Sequence, residues 1–266
     1  MTGGRAMQRI KPRQITVALV LTALSGAAIT LILAMLGPYW SVYAPATCTA
    51  TRCFCEAPRF GSLVLQPANS WSSLGYVLAG FLMIVLARSR GWQSAMTPAA
   101  AIALGITAIF VGLGSVLLHA TLTLWGQFFD VLGMYLVGSL LLVSAIARWM
   151  RIPDRRAITL YLVLCAVLVA ALIALPEIRR WLFAVVLILA IVVELAMARP
   201  RRAGVEVRWY IFGIATNAVA FLLWNLDQRG YACLPDSLIQ GHAAWHLLGA
   251  VSLWLTFCYY RSERVG

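Results

Sequence analysis

The chain has 266 residues, of which 62% are hydrophobic and 11% are charged. Because a soluble domain carries about 25% charged residues, this composition excludes a disordered chain, a secreted disulfide scaffold and a soluble enzyme, and it indicates a polytopic membrane protein. The formal net charge of +12 does not indicate a nucleic-acid partner, because basic residues of membrane proteins collect in cytoplasmic loops.

Apolar runs of the length that a bilayer requires, about 20 residues, recur eight times along the chain. They predict an all-α helix bundle with eight membrane spans, at 15–36, 71–87, 97–120, 124–147, 157–175, 181–198, 209–226 and 239–259. The first run is longer than the apolar core of a signal peptide, and we interpret it as a retained anchor.

The basic residues provide a separate test of this count, because they are enriched in cytoplasmic loops. If the N-terminus is inside and the spans alternate, 16 of the 21 basic residues fall inside and five outside. This asymmetry predicts cytoplasmic termini and an extracytoplasmic loop at 37–70. The preference for arginine and the compactness of the chain favour a bacterial inner membrane.

Four of the six cysteines lie in predicted outer loops, at Cys48, Cys53, Cys55 and Cys233. An oxidising compartment favours disulfides, and four thiols allow three complete pairings, among which the spacing does not choose. We expect at least one disulfide between the first outer loop and Cys233. A cysteine metal site is the weaker alternative, because Cys-x-Cys lacks the two-residue gap of zinc knuckles. Cys165 and Cys258 are interpreted as buried apolar residues.

Ionisable residues within membrane spans are candidates for function, because the bilayer makes them costly. All three histidines of the chain, His119, His242 and His246, lie near the outer ends of predicted spans. His242 and His246 are four residues apart and share one helix face, Ser115 lies one turn from His119, and Asp130 is about 9 Å into its span. Three imidazoles with an open fourth position form a catalytic zinc site. The pattern therefore predicts a three-histidine zinc site, with Asp130 as general base and Ser115 as a hydroxyl that supports the water or the oxyanion.

Other polar residues of the spans allow other interpretations. Haem with two axial histidines is an alternative, but it leaves the third histidine and Asp130 without a role. Glu194 lies near Arg199 and Arg201, so we expect it to snorkel or to form an ion pair outside the site. Asp227 is either a solvated helix end or a support for the site.

Three motifs resemble those of the alkaline ceramidase family: GSVLLH at 114–119, QFFD at 127–130 and GHAAWH at 241–246. CEAPR at 55–59, followed by QPANSWSS at 66–73, is similar to the family's entry segment. The resemblance extends from about Cys53 to the C-terminus and implies a seven-helix membrane hydrolase core. The predicted organisation is then a cytoplasmic N-terminus with an extra helix at 1–36, an outer cysteine loop at 37–70, and the core at 71–266.

The resemblance also implies an activity. The histidines would be zinc ligands with Asp130 as base and Ser115 as the supporting hydroxyl, and Trp245 would line the acyl pocket. Zinc-activated water would cleave ceramide or a related N-acyl lipid into a fatty acid and a long-chain amine. The alternative is a non-catalytic lipid-binding receptor or scaffold of the same fold with a structural zinc. The oligomeric state is not indicated by the sequence.

A calcium site is a further implication of the resemblance, because family members carry an acidic segment before the core. Glu56 is the only carboxylate of this segment here, and Gln66 stands where the family has a second acid. Calcium prefers several hard oxygen ligands. Two interpretations therefore stay open: Ca²⁺ with Glu56 as a ligand, or a disulfide-stabilised loop in its place.

Overall fold

A computed structural model describes residues 10–37, 39–50, 53–89, 92, 94–201, 204–231 and 233–263. Its α-helices, in chain order, are α1 Pro12–Leu36, α2 Pro67–Ser72, α3 Leu74–Ala87, α4 Pro98–Thr121, α5 Leu124–Met150, α6 Asp154–Ala174, α7 Arg179–Val192, α8 Val207–Gln228 and α9 Gly241–Ser262. A π-helical segment, Val193–Ala198, continues α7. The predicted all-α polytopic bundle is confirmed.

Seven stretches of helix in the described chain are long and apolar enough to cross a membrane. They comprise α1, α2 with α3, α4, α5, α6, Pro176–Arg201 around α7, and α8. The eighth predicted span corresponds to α9, whose 22 residues reach about 33 Å but which is not among these seven. Its lower apolarity follows from the two histidines near its start. That α9 crosses the membrane therefore stays a prediction.

The orientation of the bundle rests on the arginines counted above, and several of them lie outside the described residues: Arg5, Arg9, Arg52, Arg90, Arg202 and Arg264. The cytoplasmic placement of both termini stays a prediction.

A two-residue turn brings the end of α4 and the start of α5 together. Leu122 has a left-handed backbone conformation with φ of 49°, which is uncommon for a residue with a side chain. The Thr123 hydroxyl then accepts a hydrogen bond from the Gly126 N–H, 3.2 Å away, and caps α5. Because the turn is so short, Asp130 in the second turn of α5 lies level with Gly114 on α4, next to Ser115 and about one turn from His119.

Glycine allows α4 and α5 to approach closely at this depth. A Cβ atom at Gly114 would overlap the backbone carbonyl of Phe129. Small residues permit such close helix packing in membranes. The helix backbones therefore come together beside Ser115 and Asp130, the two residues that follow this contact.

The histidine helix α9 lies inside the bundle. It packs against α8 and α3 and also contacts α2 and α4, and both of its histidines are buried. The N-terminal helix α1 packs on α3, and most of its apolar side chains are exposed. The core that positions the site thus consists of α2 to α5 and α9.

Two disulfides, Cys48–Cys53 and Cys55–Cys233, form at the segment between α1 and α2. The second joins this segment to the one between α8 and α9, which confirms the predicted link to Cys233. Cys258 is buried as predicted, and Cys165 is half-buried.

Glu194 forms a buried ion pair at the end of the bundle away from the histidines. It is fully buried, lies 3.4 Å from Nη2 of Arg148 and accepts a 2.6 Å hydrogen bond from the Tyr259 hydroxyl. An ion pair was one of the two predicted alternatives, but the partner is Arg148 on α5 and not Arg199 or Arg201. The reason is that the π-helical segment packs directly on α5.

Candidate metal centre

The three histidines meet in one buried cluster between α4 and α9. Their ligand atoms lie within 4.8 Å of one another, and Nε2 of His119 is 3.1 Å from Nε2 of His242. Zinc ligands at about 2.0–2.1 Å in tetrahedral geometry are about 3.3 Å apart. The cluster of His119, His242 and His246 can therefore hold a metal ion with little rearrangement.

Hydrogen bonds fix which nitrogen of two imidazoles faces the cluster. Nδ1 of His246 lies 2.9 Å from the carbonyl oxygen of Asn69, and it also approaches the Ser72 and Ser73 hydroxyls. Because a carbonyl oxygen only accepts hydrogen bonds, this Nδ1 carries the hydrogen and leaves the Nε2 lone pair free. Such outer partners orient metal-binding histidines in proteins.

Gln66 performs the same function for His119. The amide nitrogen of Gln66 donates to the Glu56 carbonyl at 2.7 Å, which turns its Oε1 towards Nδ1 of His119 at 3.0 Å. His119 is thereby held with its Nδ1 hydrogen on Gln66 and its Nε2 facing the cluster. His242 differs, because its buried Nδ1 has no hydrogen-bond partner among the described residues.

Ser115 and Asp130 lie beside the histidines, as the sequence predicts. The Ser115 hydroxyl is 3.2 Å from Nε2 of His246, and it is close enough to the Asp130 carboxyl group to interact with it. The Asp130 carboxylate also interacts electrostatically with Arg179 and Arg180, at the start of α7. The structure thus brings together all five residues that were predicted for catalysis and zinc binding.

Trp245 belongs to a neighbouring aromatic cluster on the α8 side of α9. Its ring centre is 5.7 Å from that of Trp224 and 6.4 Å from that of Phe221. The guanidinium of Arg180 lies 5.4 Å from the Trp224 ring. The ring contacts described for Trp245 are therefore with α8 and not with the histidines.

Glu56 serves as an acceptor for the start of α2. It is 1% exposed, and its two carboxylate oxygens accept the N–H groups of Ala68 and Asn69 at 2.8 and 2.9 Å. Burial raises the pKa of Glu56, and these two hydrogen bonds partly oppose the shift. Its described hydrogen-bond partners are N–H groups, whereas a calcium ion at this carboxylate would need further oxygen ligands around it. Calcium binding at Glu56 stays a prediction that this arrangement does not favour.

Four residues that sequence reasoning missed or left undecided support the site: Phe54, Gln66, Asn69 and Asp227. Asp227 is buried and accepts the N–H groups of Cys55 and His242 at 3.0 and 3.1 Å, so it supports the site and is not a solvated helix end. The ring of Phe54 lies against His242 and His119. The one sequence signal for Phe54 was its position between two cysteines.

The chain is thus an all-α polytopic membrane bundle in which three buried, convergent histidines could hold a metal ion between the helices. Residues 46–265 match the Ceramidase family model, and the chain belongs to the ceramidase family. The match begins after α1. No curated protein matches the chain.

Proposed function

We propose that the chain is a zinc-dependent amide hydrolase that cleaves ceramide or a related N-acyl lipid into a fatty acid and a long-chain amine. The observation that carries this proposal is the convergence of three buried imidazoles beside Ser115 and Asp130, in a chain of the ceramidase family.

The donor set supports zinc. His119 and His246 hold their Nδ1 hydrogens in hydrogen bonds, and imidazole nitrogen suits zinc better than calcium or magnesium. When bound, zinc would act as a Lewis acid on the amide carbonyl and would lower the pKa of water in the site.

We assign the proton transfers to Asp130. Its carboxylate accepts a proton from water as the water oxygen attacks the amide carbon, and it returns that proton to the nitrogen when the carbon–nitrogen bond breaks. Ser115, which interacts with Asp130, would keep the carboxylate oriented and offer a hydroxyl to the developing oxyanion.

We place the acyl chain along the aromatic cluster of Phe221, Trp224 and Trp245. Phe221 is 51% exposed on the lipid-facing side of α8, so a lipid chain can reach the cluster from the bilayer. Arg180 interacts with Asp130 and lies over Trp224, which links this cluster to the proposed base. Trp245 would then contact the substrate through its exposed edge.

We further propose that the site faces the extracytoplasmic side of a bacterial inner membrane, with both termini cytoplasmic and with the three segments 1–36, 37–70 and 71–266 as its parts. Two disulfides at the same end as the histidines support this orientation, because disulfides form in oxidising compartments.

The experiment measures fatty acid release from ceramide and from a panel of N-acyl lipids by the purified protein in detergent, together with its zinc content. We expect release that stops after zinc is removed by a chelator and returns when zinc is added. Zinc binding with no release from any lipid would favour the receptor or scaffold alternative.

The Asp130→Asn variant tests the assigned base. We expect zinc to be retained and the rate to fall by about 10²- to 10⁴-fold, the contribution of general acid–base catalysis. Asp154→Asn is the matched control, because Asp154 is exposed at the start of α6. Full activity of Asp130→Asn would refute the assignment.

A further inference from the structure

The outer segment Cys53–Glu56 covers the metal centre with one aromatic ring. The ring of Phe54 is 7% exposed, and its centre lies 4.0 Å from that of His242 and 4.6 Å from that of His119. Phe54 also lines an outer cavity of about 790 Å³, whose lining residues include Gln66 but no histidine. The same residue therefore contacts both the cavity and two of the imidazoles.

The two residues next to Phe54 in the chain are both fixed by disulfides. Cys53 and Cys55 each form a disulfide, with Cys48 and Cys233. The Cys53 carbonyl accepts a 2.5 Å hydrogen bond from the Gln228 side chain. The backbone of the segment is thus fixed at the two residues that flank the ring.

The same segment connects directly to His242. The Cys55 N–H donates to Oδ2 of Asp227 at 3.0 Å, and Oδ1 of the same carboxylate accepts the His242 N–H at 3.1 Å. The Cys55–Cys233 disulfide and Asp227 therefore join the outer segment to the start of α9, where His242 lies.

The ring of His242 is oriented differently from the rings of the other two histidines. Asn69 and Gln66 fix the rings of His246 and His119 through Nδ1, whereas Nδ1 of His242 has no such partner in the described chain. Its ring packs instead on Phe54, with an interplanar angle of 32°. Aromatic packing thus takes the place of the hydrogen bond that usually orients a ligand histidine.

We propose that Phe54 is a positioning residue for the metal centre, and that the Cys55–Cys233 disulfide holds it there. The proposal deepens the function proposed above and rests on its zinc site. Removing the ring frees His242 to rotate and opens the histidines to the outer cavity, so that the metal leaves faster. Reducing the disulfide has the same effect, because Cys55 then no longer holds the neighbouring Phe54 in place.

The test measures zinc dissociation from the purified full chain into a chromogenic chelator, without any lipid substrate. We expect Phe54→Ala to release zinc about two- to tenfold faster, in line with the stabilisation that an aromatic pair provides. Phe54→Tyr keeps the ring and should restore the slow rate. Because a folding defect could mimic the effect, the melting temperature of the zinc-free protein is compared for both variants.

The disulfide is tested in the same assay. The double variant Cys55→Ser with Cys233→Ser should release zinc as fast as Phe54→Ala, and wild type treated with a phosphine reductant should match it. Cys165→Ser, which removes a half-buried free thiol, should behave as wild type. Combining Phe54→Ala with the double variant should add little, because the two changes remove the same support.

Unchanged release from Phe54→Ala would overturn the positioning role, and so would a Phe54→Tyr variant as fast as Phe54→Ala. Unchanged release from the disulfide variant would overturn the link to Cys233. These outcomes are distinct from a failure of the proposed function, in which zinc binds but no lipid is hydrolysed.

Discussion

Replacing Gln66 by leucine should weaken zinc binding without any change to a zinc ligand. In the structure, Oε1 of Gln66 accepts the Nδ1 hydrogen of His119 at 3.0 Å, and both residues are almost fully buried. Leucine keeps the volume of the side chain but leaves the imidazole N–H without a partner. The ring can then move its hydrogen to Nε2, which removes the lone pair that faces the metal.

The magnitude follows from the cost of a buried, unpaired hydrogen-bonding group, about 1–3 kcal/mol. Because about 1.4 kcal/mol corresponds to a tenfold change in affinity, the dissociation constant for zinc should rise by about 5- to 150-fold. Loss of an outer hydrogen bond to a ligand histidine weakens metal sites by about 10- to 100-fold, which agrees with this range.

The assay is a competitive titration of the zinc-free protein with zinc and a chelator of known affinity. Gln127→Leu is the matched control, because Gln127 is also a buried amide. Its Oε1 accepts hydrogen bonds from the N–H and hydroxyl of Thr47, and its side chain has no hydrogen bond to a histidine among the described residues. Zinc affinity of Gln66→Leu within threefold of wild type, or an equal loss in Gln127→Leu, would refute this account of the site.

Two further predictions concern the packing that holds the site and the opposite end of the bundle. Gly114→Ala should lower the melting temperature and slow hydrolysis, because a Cβ atom there overlaps the α5 backbone. Gly138→Ala should have a much smaller effect on both, because the nearest atoms there belong to side chains at 3.3 Å or more. Equal melting temperatures of the two variants would contradict the reasoning. Glu194→Leu should lower the melting temperature by breaking the buried pair with Arg148. The cost should be below the about 3–5 kcal/mol of an uncompensated buried charge, because Arg148 keeps its ion pair with Glu263. Tyr259→Phe should cost less, and both should keep wild-type zinc affinity; weaker zinc binding in Glu194→Leu would show that the two ends of the bundle are coupled.

Much of the fold was predictable because its main determinant is local. A bilayer requires about 20 apolar residues per helix, and the predicted runs correspond to helices in every case. One of these helices, α9, is long enough to span a bilayer but is not among the seven candidate spans, because its histidines lower its apolarity. A helix that buries polar ligands inside a bundle is less apolar than one that faces lipid.

The candidate site was predictable in part. The depth of Ser115, His119 and Asp130 follows from their positions near the short turn between α4 and α5, and His242 and His246 share a face by helical spacing. That the two groups would meet was a hypothesis, because 123 residues separate His119 from His242. The partners of Glu194 could not be read from its sequence neighbours, because Arg148 and Tyr259 lie on other helices.

The sequence by itself determined the apolar helices, the candidate ligand residues and the family, because apolar length and short motifs are properties of contiguous residues. Only the tertiary structure decided how the candidate ligands are supported. Gln66 lies 53 residues from His119, and Asp227 lies 172 residues from Cys55. A hydrogen bond requires its two atoms to be within about 3 Å, and for residues so far apart in the chain, helix packing and the disulfides set that distance.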